Sequence, residues 1–120
     1  MTDDCKYDLA ERTALFGERV IAFCRTVPHT AVLLPLVGQL VRSGTSIGAN
    51  YCEADDAESR RDFMHKISIC KREARETKYW LRMIASADAS LKEPARALGK
   101  EANELHLIFA KIWRSRNEGK

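Results

Sequence analysis

Only six glycines and three prolines occur in 120 residues, so turns can occupy little of the chain. No apolar run approaches the roughly 20 residues that a membrane-spanning helix needs. No stretch sustains a two-residue alternation of polar and apolar side chains, which leaves no signal for a β-strand. A Gly-rich phosphate loop, a nucleophile paired with a base and a metal-spaced ligand set are all missing. The expectation is therefore a protein that is not an enzyme, with no metal, cofactor or small-molecule substrate. His29, His65 and His106 are scattered, one in a break and two on helical stretches. Cys5, Cys24, Cys52 and Cys70 form no Cys-x-x-Cys pair and have no histidine at ligand spacing, so reduced, apolar-packing thiols are expected. The opening Met-Thr-Asp-Asp-Cys-Lys is acidic and polar, the wrong chemistry for a secretory signal, and a cytoplasmic location is the expectation.

What is present is helical. Hydrophobic residues make up 45% and charged residues 31%, a balance that excludes wholesale disorder and suits one domain at this length. Apolar positions step by three and four along four stretches. They are Leu9, Thr13, Phe16, Val20, Phe23, Val27; then Leu33, Leu36, Leu40, Ser43, Ile47, Asn50, Ala54; then Phe63, Ile67, Cys70, Ala74, Thr77, Leu81, Ile84; and finally Leu91, Ala95, Leu98, Ala102, Leu105, Phe109, Ile112. These predict an all-α, antiparallel up-down four-helix bundle spanning residues 1–120, with helices at roughly 6–27, 30–57, 60–88 and 94–116. Thr30 suits the N-cap of the second helix, and Ser59 followed by Asp62 resembles a capping box opening the third. Ser90 and Glu93 compete as caps before the fourth. Folding the second and third helices back around Ser59 places Ile47 by Cys70, Leu40 by Thr77, Leu36 by Leu81 and Leu33 by Ile84, all in one register.

Several polar residues sit where a core belongs. Ser43, Ser46 and Asn50 lie on or beside the seam of the second helix, in a run whose glycines each cost up to about 1 kcal/mol relative to alanine. Small residues there let a neighbouring helix come close. Glu73 and Glu76 fall in the same register beside Arg42, which predicts a network: Arg42 pairs with Glu76, while Glu73 or backbone groups satisfy the serines and Asn50.

The charge is uneven. Residues 60–82 hold eight basic side chains against three acidic ones, and Lys71, Arg75, Lys78 and Arg82 form one helical stripe. A solvated face is one reading of the stripe; contact with phosphate is the other. A second apolar line, Ile69, Trp80 and Met83, joined by Trp113 on the fourth helix, exceeds what one bundle core needs and predicts a contact between subunits, the alternative being that it widens the bundle core.

The run Gln39-Leu40-Val41-Arg42-Ser43-Gly44-Thr45-Ser46-Ile47-Gly48-Ala49-Asn50-Tyr51-Cys52-Glu53-Ala54 resembles the hallmark of the bacterial four helix bundle protein family, also described as 23S rRNA intervening-sequence proteins. The likeness continues through Ser59-Arg60-Arg61-Asp62-Phe63 and through Lys71-Arg72-Glu73-Ala74-Arg75-Glu76-Thr77-Lys78-Tyr79-Trp80-Leu81. It implies an up-down bundle, commonly assembled as a ring-shaped homopentamer. The chain is more distantly similar to the accessory protein of diversity-generating retroelements, a basic pentameric bundle that engages nucleic acid and a reverse transcriptase. Cys52 and Cys70 stand where relatives often carry alanine, and both suit a core. The expectation is a non-enzymatic oligomeric scaffold that binds RNA or a nucleoprotein; the alternative is a protein–protein interaction module with no nucleic-acid role.

Overall fold

A computed structural model describes the backbone of residues 4–118 and the side chains of residues 9–115, so Cys5 lies outside the described side chains. Four α-helices carry the fold: α1 Asp4–Thr26, α2 Leu33–Asp55, α3 Arg60–Ala87 and α4 Lys92–Glu118, with a single 3-10 turn at Ala89–Leu91. They form an antiparallel up-down bundle in which α3 packs broadly on both α2 and α4, and α1 packs mainly on α2. The α1–α4 boundary is slight, and the diagonal pairs do not meet backbone to backbone. The long axis measures 48 Å, close to the roughly 42 Å of a 28-residue helix at 1.5 Å per residue, so α3 runs most of its length.

One core cluster draws on all four helices. Most repeating positions of each stretch are buried, among them Phe16 and Val20 from α1, Leu40 and Ile47 from α2, Ile67, Leu81 and Ile84 from α3, and Leu105 and Phe109 from α4, while Leu36, Asn50, Phe63 and Ile112 are only partly buried. Tyr51 and Phe109 meet across the core at 5.9 Å between ring centroids, joining the diagonal pair α2 and α4 through side chains. The α2–α3 register places the Cys70 thiol 3.6 Å from the Ile47 carbonyl.

The helix ends follow local chemistry. Regular α geometry begins at Leu33, three residues after the expected start. The Thr30 hydroxyl nevertheless accepts the Leu33 N–H at 3.1 Å, and its carbonyl accepts the Leu34 N–H at 3.0 Å. Pro35 then falls in the first turn, where its missing N–H costs nothing. Ser59 caps α3 by accepting the Asp62 N–H at 3.0 Å. Before α4 the cap is neither Ser90 nor Glu93 but Asp88, whose carboxylate accepts the Ser90 N–H at 3.0 Å and the Ser90 hydroxyl at 2.7 Å. That turn starts the fourth helix at Lys92 rather than 94.

Two glycines set the distance between α1 and α2. A Cβ on Gly44 would lie 3.0 Å from both methyls of Val20, and one on Gly48 would lie 3.1 Å from the Thr13 hydroxyl. Both helices stay continuous because the close approach replaces the side-chain packing that glycine lacks.

Candidate nucleic-acid interface

The polar run of α2 stays helical because its hydroxyls turn back onto their own helix. Thr45 donates to the Val41 carbonyl at 2.7 Å, Ser46 to the Arg42 carbonyl at 2.6 Å and the Asn50 amide to the Ser46 carbonyl at 2.9 Å. Fully buried Ser43 accepts the Thr77 hydroxyl at 3.0 Å and makes a longer contact to the Leu40 carbonyl at 3.4 Å. Backbone groups thus satisfy Ser46 and Asn50, and Glu73 is left for Arg42.

Arg42 reaches two carboxylates on successive turns of α3. Its Nη2 donates to Glu76 Oε1 at 2.7 Å, and its Nη1 lies 3.3 and 3.4 Å from the two oxygens of Glu73. The Glu76 hydrogen bond raises the guanidinium above its ordinary value; partial burial opposes this and the Glu73 charge adds to it. Glu73 is buried and Glu76 only partly so. One guanidinium occupies both carboxylates, which makes the group an interhelical clamp rather than an acid–base pair. Nearby, Lys66 of α3 pairs with Glu53 of α2. No group of three metal-ligating side chains occurs among the described residues.

The stripe Lys71, Arg75, Lys78 and Arg82 lies on the opposite flank, toward α4. Lys78 Nζ donates to Asn103 Oδ1 at 2.7 Å, and Lys71 Nζ sits 5.1 Å from the Trp113 ring centre, a cation–π contact. His106 Nδ1 approaches the Lys71 carbonyl at 3.1 Å. Since a carbonyl only accepts, that nitrogen carries the proton. Arg75 and Arg82 are exposed.

Helix α4 answers with a second row that sequence reasoning missed. Arg96, Lys100, Asn103, Leu107, Lys111 and Arg114 step by four, three, four, four and three, and so share one face. The row faces outward, and Asn103, through its bond to Lys78, marks the edge of it that borders the α3 stripe. Its four cations are all exposed or partly so, and Leu107 between them is 54% exposed. Among the described residues, Arg75, Arg82, Lys100 and Lys111 have no ion-pair partner. Arg96 has only a 3.8 Å contact with Glu93. The spacing is visible in sequence, but Asn103 and Leu107 interrupt its charge.

The second apolar line divides. Ile69, Trp80 and Met83 share their face with Glu73 and Glu76, and therefore flank α2. Trp113 lies on the other side of α3, beneath Lys71. All four side chains are partly buried, and both tryptophans pack on the core of their own bundle. The Trp80 Nε1 is buried and has no acceptor among the described residues. Its neighbour Tyr79 is 53% exposed and meets the Trp80 ring edge-on, at 5.1 Å and 76°. No helix among the described residues is long and apolar enough to cross a membrane.

A model of the 23S rRNA-intervening sequence protein family matches residues 6–111, and the chain belongs to that family. Among solved structures it is similar to a protein of unknown function from the S23 ribosomal protein family of Bacteroides thetaiotaomicron. The two are 29% identical, the likeness covers 87% of this chain and 96% of the other, and the TM-score is 0.77. A search of curated proteins gives no match.

Proposed function

We propose that the chain is a non-enzymatic, self-associating scaffold of the cytoplasm that binds RNA or a nucleoprotein through the α3–α4 flank. One observation supports this reading above others: two adjoining rows of cations, one on each helix, include exposed charges with no acidic partner among the described residues. Cations left to water on two adjoining helices favour a ligand carrying many negative charges, and phosphates release counterions when such cations meet them. The RNA in the family's name agrees with that chemistry. Self-association, as the homopentamer the resemblance implies, would repeat the rows around a ring and multiply a modest affinity.

The test is a titration of labelled RNA at several salt concentrations, on protein whose solution mass has been measured. Affinity that falls steeply with salt supports the reading. Affinity unchanged by salt, or by replacing Lys71, Arg75, Lys78 and Arg82 with glutamine, overturns it. A second reading, a protein–protein module with no nucleic-acid role, draws on the buried Trp80 Nε1, which has no acceptor among the described residues, beside the apolar Ile69–Met83 line. A partner recovered equally well after nuclease treatment favours that alternative.

A further inference from the structure

Tyr79 stands out at the outer border of the basic stripe, between it and the Trp80 face of α3, because it is a large ring left half in water. It follows Arg75 by four residues and precedes Arg82 by three, so a guanidinium lies one helical turn to either side. Arg72 lies a further turn back. The ring does not hang free. Its edge-on contact with Trp80, itself packed on the core, braces the tyrosine from within the bundle. Among the described residues the only cation stacked on an aromatic face is Lys71 on Trp113, so Trp113 is covered while Tyr79 has no cation upon it.

An exposed ring among cations matches one form of nucleic acid better than the other. A duplex offers phosphates to cations but keeps its bases stacked inside, where a surface tyrosine cannot reach them. An unpaired strand offers both its phosphates and the flat faces of its bases. Four residues of helix separate Arg75 from Tyr79 by about 6 Å along the axis, on the order of one nucleotide step in an extended strand.

We infer that the flank takes unpaired nucleotides: one base stacks on Tyr79 while the adjoining phosphates meet Arg75 and Arg82, and the strand continues toward Arg96 and Lys100 on α4. The inference rests on the nucleic-acid reading of the flank and narrows it to single-stranded segments such as loops, bulges and ends.

The experiment compares two probes, a fluorescein-labelled oligouridylate and an RNA duplex of equal length, on the full chain. Tyr79→Ala is expected to weaken oligouridylate binding by about five- to hundredfold, the range of one lost base–aromatic stack, and to leave duplex binding unchanged. Tyr79→Phe keeps the ring and is expected to bind like the parent protein. Circular dichroism of each variant checks that the helices persist. Oligouridylate affinity unchanged in Tyr79→Ala overturns the stacking and leaves the basic flank standing, as does an equal loss for both probes. Failure of the parent protein to bind either probe overturns the nucleic-acid reading as well.

Discussion

The two flanks of α3 use the same kinds of residue to opposite ends. Toward α2 its charges are cancelled: Glu73 and Glu76 close on Arg42, and Lys66 closes on Glu53. Toward α4 they are not, since Lys78 meets a neutral amide, Lys71 meets a ring, and Arg75 and Arg82 meet water. Paired charges on the first flank tie two helices together, and little of their field reaches outward. Unpaired charges on the second do little for the fold and remain available to a ligand. Net charge would not reveal this, because the whole chain carries only +3.

Substitutions can break that contrast, beginning with the largest effect. Replacing Lys71, Arg75, Lys78 and Arg82 together by glutamine should lower the slope of log affinity against log salt by about three, at about 0.7–0.9 for each phosphate no longer neutralised. A filter-binding series across salt concentrations measures it, and melting should shift little, since Arg75 and Arg82 make no ion pair among the described residues and Lys78 and Lys71 each give up one contact to α4. An unchanged slope would place the ligand elsewhere.

On the other flank, Glu73→Ala leaves Arg42 with Glu76 alone and should cost about 1.5–3 kcal/mol of stability by urea denaturation, the usual range for a lost hydrogen bond to a charged group. RNA affinity should not fall. A loss of binding with no loss of stability would erase the distinction between the flanks.

The interior between them should respond to alkali. Burial pushes the Cys70 thiol up from 9.0 to about 12 and the Cys24 thiol from 9.0 to about 11. Raised values favour the protonated, folded form, so this stabilisation is complete below pH 9 and is lost as pH rises toward 11 and 12. At pH 10 each thiol should account for about 1.4 kcal/mol of lost stability, measured by denaturation at pH 8 and pH 10. Cys70→Ala should remove about half of that sensitivity. The smallest effect belongs to Arg12, whose fork meets Glu101 of α4 at 2.7 and 2.9 Å. Arg12→Gln should cost about 0.2–1 kcal/mol, as for other partly exposed pairs.

The bundle and the clamp are legible in the sequence because both repeat at helical period. Ile47 and Cys70 announce their register through two independent seams, and Arg42 falls beside Glu73 and Glu76 in that same register. Distances decide what period cannot. The serines and Asn50 are satisfied mostly within α2, since a hydroxyl on a helix reaches the carbonyl a turn before it more easily than a carboxylate on a neighbour. Asp88 escapes a sequence reading because its cap opens a 3-10 turn, outside the apolar pattern that marks α4. The α4 row is hidden because Asn103 and Leu107 hold places in it without charge. Residue type alone groups Trp113 with Trp80, although the two sit on opposite sides of α3.

The slight boundary between α1 and α4 has a consequence for amide exchange. Helix α3 is gripped from both sides, whereas α1 is seated mainly on α2, along the line where Gly44 and Gly48 let it settle. Opening of α1 therefore disrupts one broad contact, while opening of α3 disrupts two. Backbone deuterium uptake should run through α1 first and leave the other three helices as a slower, cooperative body. The chain is then a three-helix block with a strap laid along one side, and the α3–α4 flank belongs to the block.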